Sequence, residues 1–96
     1  MKKVYKAVFT HYFDVWGNKD DGWDVNNLCT QYEDIDLPDL EDETLIGKLK
    51  ELGFFNEKAS TENTEVVDWY PYLEVVDKDT EYPFGRFEIL EEEERA

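Results

Sequence analysis

Residues 4–16 read as one long β-strand, and no other stretch constrains the fold as much. Tyr5, Ala7, Phe9, Phe13 and Val15 fall at alternate positions, and β-branched and aromatic residues dominate. Val8, Tyr12 and Trp16 give the other face some apolar character too. The following Gly17, Asn18, Lys19, Asp20, Asp21 and Gly22 tolerate positive φ or bond their own backbone, so a hairpin turn is predicted. The return strand begins at Trp23 and Val25 and runs through Leu28 and Cys29 towards Tyr32. The predicted register sets Val15 opposite Trp23, Phe13 opposite Val25, His11 opposite Asn27 and Phe9 opposite Cys29. A one-residue slip would mix the faces.

Glu33, Asp34, Asp36, Asp39, Glu41, Asp42 and Glu43 follow with no base among them and Pro38 in the middle, which predicts an extended loop leading to a helix. Asp42 is the expected N-cap, and Glu43 suits the positive end of the helix dipole. Leu45, Ile46, Leu49 and Leu52 form one buried stripe, Lys48 and Lys50 lie near the C-terminal end, and Gly53 before Phe54 is the expected stop. Gly47 is read as a mark of close packing against the sheet. Residues 56–64 are polar and form a connecting loop. Residues 66–77 are rich in Val, Trp and Tyr but broken by Pro71, so they form an edge strand or one beginning near Tyr72. After a turn at residues 77–80, residues 84–90 alternate again. The expected fold is α+β, an antiparallel sheet in the order β-β-α-β-β with one helix packed on one face.

A chain of 96 residues is one domain, expected over residues 1–90 with an acidic C-terminal tail at 91–96. One domain has no interdomain cleft, which excludes a large cofactor-binding enzyme. Asp and Glu number 25 against 10 Lys and Arg, a formal charge of −15, yet 41% hydrophobic and 16% aromatic content is too rich for a disordered acidic tail. The single Cys29 forms no intramolecular disulfide, as is usual in a reducing compartment, so a cytoplasmic location is expected. Lys2 and Lys3 are not followed by the uninterrupted apolar segment of a signal peptide. No apolar run approaches the roughly 20 residues that cross a bilayer. Anionic headgroups and phosphate backbones would both repel this charge, so neither membrane nor nucleic acid is the expected partner.

The stretch from Asp14 to Asn26, D-V-W-G-N-K-D-D-G-W-D-V-N, resembles a group of small bacteriophage and prophage proteins carrying D-x-W-G-N-x-x-D-G-aromatic-x-V-N. Those proteins have a later helix ending in L-K-x-x-G-aromatic or aliphatic, and here Leu49, Lys50, Gly53 and Phe54 fill that pattern. The resemblance covers roughly the first half of the chain. It implies a small protein of the bacterial host cytoplasm and assigns no activity to any residue.

The acidic hairpin loop raises a calcium reading, but the EF-hand spacing fails. With Gly22 as the sixth residue, Gly17, Lys19 and Leu28 fall at positions that require side-chain oxygens. A looser cation site from Asp14, Asp20, Asp21 and Asp24 stands as the alternative function, a cation-binding structural module using residues 17–24. His11 and Cys29 form the one base and nucleophile pair, with Asn27 near both in the predicted register. Flat neighbouring strands provide no oxyanion hole, and surrounding carboxylates oppose a thiolate, so the bland reading is a small core thiol and a half-buried imidazole. One Cys and one His do not complete a zinc site. No catalytic residue, metal or cofactor is assigned, and the chain is expected to be no enzyme.

Charge remains. Residues 1–50 carry 6 bases and 11 acids, and residues 51–96 carry 4 bases and 14 acids, so the surplus leans towards the C-terminal half. A rigid carboxylate surface offers a basic groove much the same field as a phosphate backbone. The expected function is therefore a non-enzymatic interaction module that binds a basic host protein, in one form a nucleic-acid mimic inhibiting a nuclease or defence complex. The bland alternative is a merely solubilising surface. Expected contact residues are Glu33, Asp34, Asp36, Asp39, Glu41, Asp42 and Glu43, with Glu91, Glu92, Glu93 and Glu94 as a second patch. Trp16 and Trp23 are the candidate aromatic anchors, weighed against capping the core or stacking across the hairpin. An unprotected strand at residues 72–76 offers a dimer contact, but like-charge repulsion favours a monomer over a homodimer.

Overall fold

A computed structural model describes residues 2–54 and 63–95, the side chains of Lys2 and Arg95 excepted. The strands are β1 (Lys2–Asn18), β2 (Gly22–Leu37), β3 (Thr64–Trp69), β4 (Tyr72–Asp77) and β5 (Pro83–Arg95), and α1 spans Asp42–Glu51. They form one five-stranded antiparallel sheet in the order β2-β1-β5-β4-β3. Among the described residues, the α+β class with one helix stands, but there is a fifth strand. Tyr70 and Pro71, joined by a cis peptide bond, turn residues 64–77 into a β3–β4 hairpin, so a strand does begin at Tyr72 as one of the two expectations had it, and β3 before it is the added strand. Residues 72–76 are consequently paired on both sides, and β2 and β3 are the edges.

The first hairpin is tighter than predicted. Asn18 faces Gly22, Val15 faces Val25, Phe13 faces Asn27 and His11 faces Cys29, a two-residue shift that keeps the parity of these pairs, whereas Phe9 faces Tyr32 instead of the expected Cys29. The cause is a three-residue loop closed by Asn18, whose Oδ1 accepts the Asp21 N–H at 2.7 Å. Gly17 has φ +125, and a Cβ there would collide with the Gly22 carbonyl oxygen.

β2 then continues through the acidic stretch expected to be a loop. Tyr32, Ile35 and Leu37 all pack on the core, although 32 and 35 have opposite parity. Register shifts around Phe9 show why: β2 carries extra residues near Gln31 and Asp34, and Asp34 has φ +55. These bulges rephase the strand. β5 likewise bulges at Leu90, which is exposed, and then pairs residues 91–95 with the N-terminal end of β1. The sequence that reads as a solvent tail is the end of the central strand.

α1 covers one face of the sheet. Glu41 is the N-cap without a side-chain cap bond, and Asp42 is the first helical residue. Leu45, Ile46 and Leu49 are buried with Ala7, Phe9, Val75 and Phe87, whereas Leu52 remains partly exposed. Gly53 at φ +85 ends the helix, and the Phe54 N–H donates to the Leu49 carbonyl at 2.9 Å. Gly47 is exposed with no atom within 4 Å of a Cβ, so it does not mark close packing. The helix starts beside β3, where Asp42 Oδ2 accepts the Val66 N–H at 3.3 Å, and ends beside β2, where the Tyr32 hydroxyl donates to the Leu52 carbonyl at 3.3 Å.

Candidate functional site

The two acidic runs meet at one end of the sheet. Lys6 of β1 faces Asp36 of β2 on one side and Glu91 of β5 on the other, and Tyr5 faces Leu37 and Glu92. Strands lie about 4.8 Å apart, so the two carboxylate rows stand roughly 10 Å from each other with β1 between them. Bases on β1 bind some of this charge. Lys6 Nζ lies 2.6 Å from Asp36 Oδ1, and Lys3 Nζ lies 3.2 Å from Glu92 Oε2. The Tyr70 hydroxyl also donates to Glu92, and this bond, followed by Lys3, holds the Glu92 carboxyl below its ordinary range. The same contacts raise Tyr70 and Lys3.

The acids of residues 33–43 do not form one patch, because the chain crosses the sheet within them. Glu33, Asp34 and Asp36 stay on β2, whereas Asp42 sits against Val66 on the opposite edge. Asp39 bonds Thr44 and the Glu41 N–H, which lowers its pKa and fixes the start of α1. Glu33, Asp34, Glu91 and Glu94 are exposed at the shared end, and Glu41 and Glu43 are exposed at the helix start. Glu93 is half-buried.

Trp16 and Trp23 lie at the far end of β1. Ten residues of strand separate Lys6 from Trp16, about 33 Å if straight. The two indoles do not stack across the hairpin. Trp16 faces Asp24, and alternation sends the neighbouring Trp23 to the other side. Trp16 is 65% exposed, its Nε1–H bonded to Asp14 Oδ1 at 2.8 Å. Trp23 packs edge-on against Tyr82 at 5.1 Å and donates to the Thr80 carbonyl at 3.0 Å.

The carboxylates of the hairpin loop are used locally. Asp14 Oδ2 accepts from Asn27 Nδ2 at 3.4 Å, and Asp21 Oδ2 accepts from Asn18 Nδ2 at 3.1 Å. Among the described residues, no three His, Cys, Asp or Glu side chains converge as metal ligands. Cys29 is exposed instead of buried in the core. His11 is half-buried between Phe13 at 4.2 Å and Phe54 at 5.0 Å, and burial lowers its pKa.

A concavity absent from the sequence reading lies between the hairpin tip and the strands β3 and β4. It measures about 400 Å³. Trp23, Val25, Val67, Trp69, Val76 and Pro83 supply its apolar lining, and Glu65, Glu74 and Glu81 its charge. A straight β1 would span about 55 Å, but the longest dimension of the molecule is 46 Å, so the strands bend and the tip reaches back over the sheet. Lys19 Nζ accordingly meets the Asp79 carbonyl at 3.2 Å. The signal was there in part: Glu65, Val67 and Trp69 share a face with Tyr72, Glu74 and Val76 once Pro71 is read as a turn.

No family model matches the chain, and neither a curated protein nor a solved structure matches it. Among the described residues, no helix is long and apolar enough to cross a membrane.

Proposed function

We propose that this chain is a non-enzymatic interaction protein whose acidic end, built from the neighbouring ends of β2 and β5, binds a basic surface on a host protein. The observation that supports this reading is the register that sets Asp36 and Glu91 on either side of Lys6, bringing the β2 part of one acidic run and the β5 run to one end of a hydrogen-bonded sheet. Carboxylates carried on a hydrogen-bonded sheet need no backbone ordering on binding, and a formal charge of −15 steers a basic partner from a distance. The resemblance of the first hairpin to phage and prophage proteins supports a bacterial protein of the cytoplasm as that partner. A nucleic-acid mimic is the narrower form of the same reading. Alternate carboxylates along a strand recur about every 6.6 Å, and the two rows leave a basic groove facing a double line of anions.

The experiment is capture from a bacterial lysate with elution by salt, comparing the wild-type chain with the triple variant Glu33→Lys, Asp34→Lys and Glu91→Lys. The reversal is expected to abolish capture at low salt, and the wild-type complex to dissociate as salt rises. Capture indifferent to both overturns the reading. Competition by added DNA or RNA supports mimicry, and a complex that tolerates nucleic acid removes the narrower form.

A further inference from the structure

We propose that the concavity between the hairpin tip and the β3–β4 hairpin receives an arginine side chain from an extended basic segment of the partner. This rests on the reading of the chain as a binder of basic proteins and adds a second contact, distant from the acidic end.

Among the described residues, the lining pairs carboxylates with indoles and includes no base. Glu65 of β3 faces Val76 of β4, and Val67 faces Glu74, so the two carboxylates stand diagonally across an apolar floor. Glu81, just before Pro83, which faces Val76, supplies a third. Trp23 and Trp69 both line the concavity. A guanidinium is planar, stacks on aromatic faces and forks onto carboxylates, which suits it to such walls better than a compact ammonium. The same face already holds such a contact within the chain. Arg86, opposite Glu74 in the register, lies 4.8 Å from the centre of the Tyr72 ring. Glu74 Oε2 already accepts the Tyr12 hydroxyl at 3.3 Å, so Glu65 and Glu81 are the carboxylates offered to an incoming cation.

The exposure of Trp69 points to a protein segment. At 65% exposed on the rim, the indole has most of its surface outside the cavity, where only a ligand extending past the cavity covers it. The cleft between α1 and the start of β3 is different, because Lys50 and Lys78 face Asp42 and Glu43 within it and the charges offset each other.

The test is a titration of the full chain with the peptide acetyl-Gly-Ala-Arg-Ala-Gly-amide and with its citrulline counterpart, which has the same shape without the charge. The indole N–H resonances of Trp23 and Trp69 are followed, with Trp16 as the internal reference. The arginine peptide is expected to shift Trp23 and Trp69 and leave Trp16 in place, and the citrulline peptide to bind about tenfold more weakly or worse. The double variant Glu65→Gln and Glu81→Gln, close in shape to the native side chains, is expected to erase that preference while the Trp16 resonance reports an intact fold. Equal binding of the two peptides, or an unmoved Trp69 at millimolar peptide, overturns the proposal. Backbone amide shifts recorded in the same titration and confined to residues 33–36 and 91–94 overturn the groove and leave the acidic end standing. Shifts in the groove with capture indifferent to reversal at the acidic end overturn the latter alone.

Discussion

Gly85 and Phe9 lie so close across the β5–β1 pair that a Cβ at position 85 would stand 2.6 Å from Phe9 Cζ. It would come still closer to the Thr10 carbonyl oxygen, and a backbone atom cannot swing aside. The missing side chain makes room for the tip of the Phe9 ring, which meets Phe87 at 5.1 Å, Phe54 at 4.8 Å and Tyr32 at 6.2 Å. Three strands and the end of α1 are joined through that ring. Gly85→Ala is therefore expected to lower stability by about 1–3 kcal/mol, read as a shift of the urea midpoint.

Gly47→Ala has the opposite sign. The glycine is exposed in the middle of α1, and an added methyl group meets nothing within 4 Å. Ala restricts the unfolded chain and favours helix, so a gain of about 0.5–1 kcal/mol is expected by the same denaturation measurement. A loss would show that the helix is packed more closely than its exposure indicates.

Asp77 organises the turn on which the hairpin tip rests. Its Oδ1 accepts the N–H groups of Thr80 at 2.9 Å and Asp79 at 2.8 Å, and its Oδ2 accepts from Asn63 Nδ2 at 2.8 Å. The Thr80 bond is the largest cause of its lowered pKa. Thr80 in turn accepts from the Trp23 indole, so the turn and the tip are coupled. Asp77→Ala is expected to reduce stability by on the order of 1–2 kcal/mol and to shift Trp23 fluorescence. Asp77→Asn, which keeps an acceptor for the turn, loses less. Because the folded pKa is depressed, this contribution is present above the ordinary carboxylate range and is lost as pH falls through the folded value.

His11 sets a pH dependence in a different window. Burial between Phe13 and Phe54 lowers its pKa below the ordinary 6.5, so the unfolded chain takes up the proton first. Stability should therefore decline as pH falls from about 6.5 towards the folded value. Asp39, Asp77 and Glu92 have lowered pKa values and titrate below this window. Urea midpoints measured between pH 7.5 and pH 5.5 are expected to fall for the wild-type chain and to stay level for His11→Gln.

The elements that could be read in advance were those with an uninterrupted period. Residues 4–16 keep one alternation with His11 as its single polar position, and Leu45, Ile46 and Leu49 keep one helical stripe, so β1 and α1 appear where expected. The end of β2 was hidden by bulges that change parity between Tyr32 and Ile35, which makes a strand look like an acidic loop. The end of β5 was hidden by its charge. Four consecutive glutamates suggest solvent until Lys3 and Lys6 of the neighbouring strand are set beside them. The acidic patch was legible as composition and not as shape, because the crossing of the chain from β2 to the helix start lies in the long-range packing of Leu40, Leu45 and Val66.

Trp16 and Trp23 separate binding from stability. Trp23 is half-buried against Tyr82 and bonded to Thr80, so Trp23→Ala removes a contact between the tip and the β4–β5 turn. A loss of about 1–3 kcal/mol is expected, below the range for a fully buried Trp. Trp16 is 65% exposed, and its bond to Asp14 is exposed too, so Trp16→Ala should stay within about 0.5 kcal/mol of the wild-type chain. Each variant is then used in lysate capture at matched folded fraction. Weaker capture by Trp16→Ala with unchanged stability would make that indole part of a contact surface. Unchanged capture by Trp16→Ala would remove that indole alone from the interface and leave partner contact to the acidic end and to the groove that Trp23 lines.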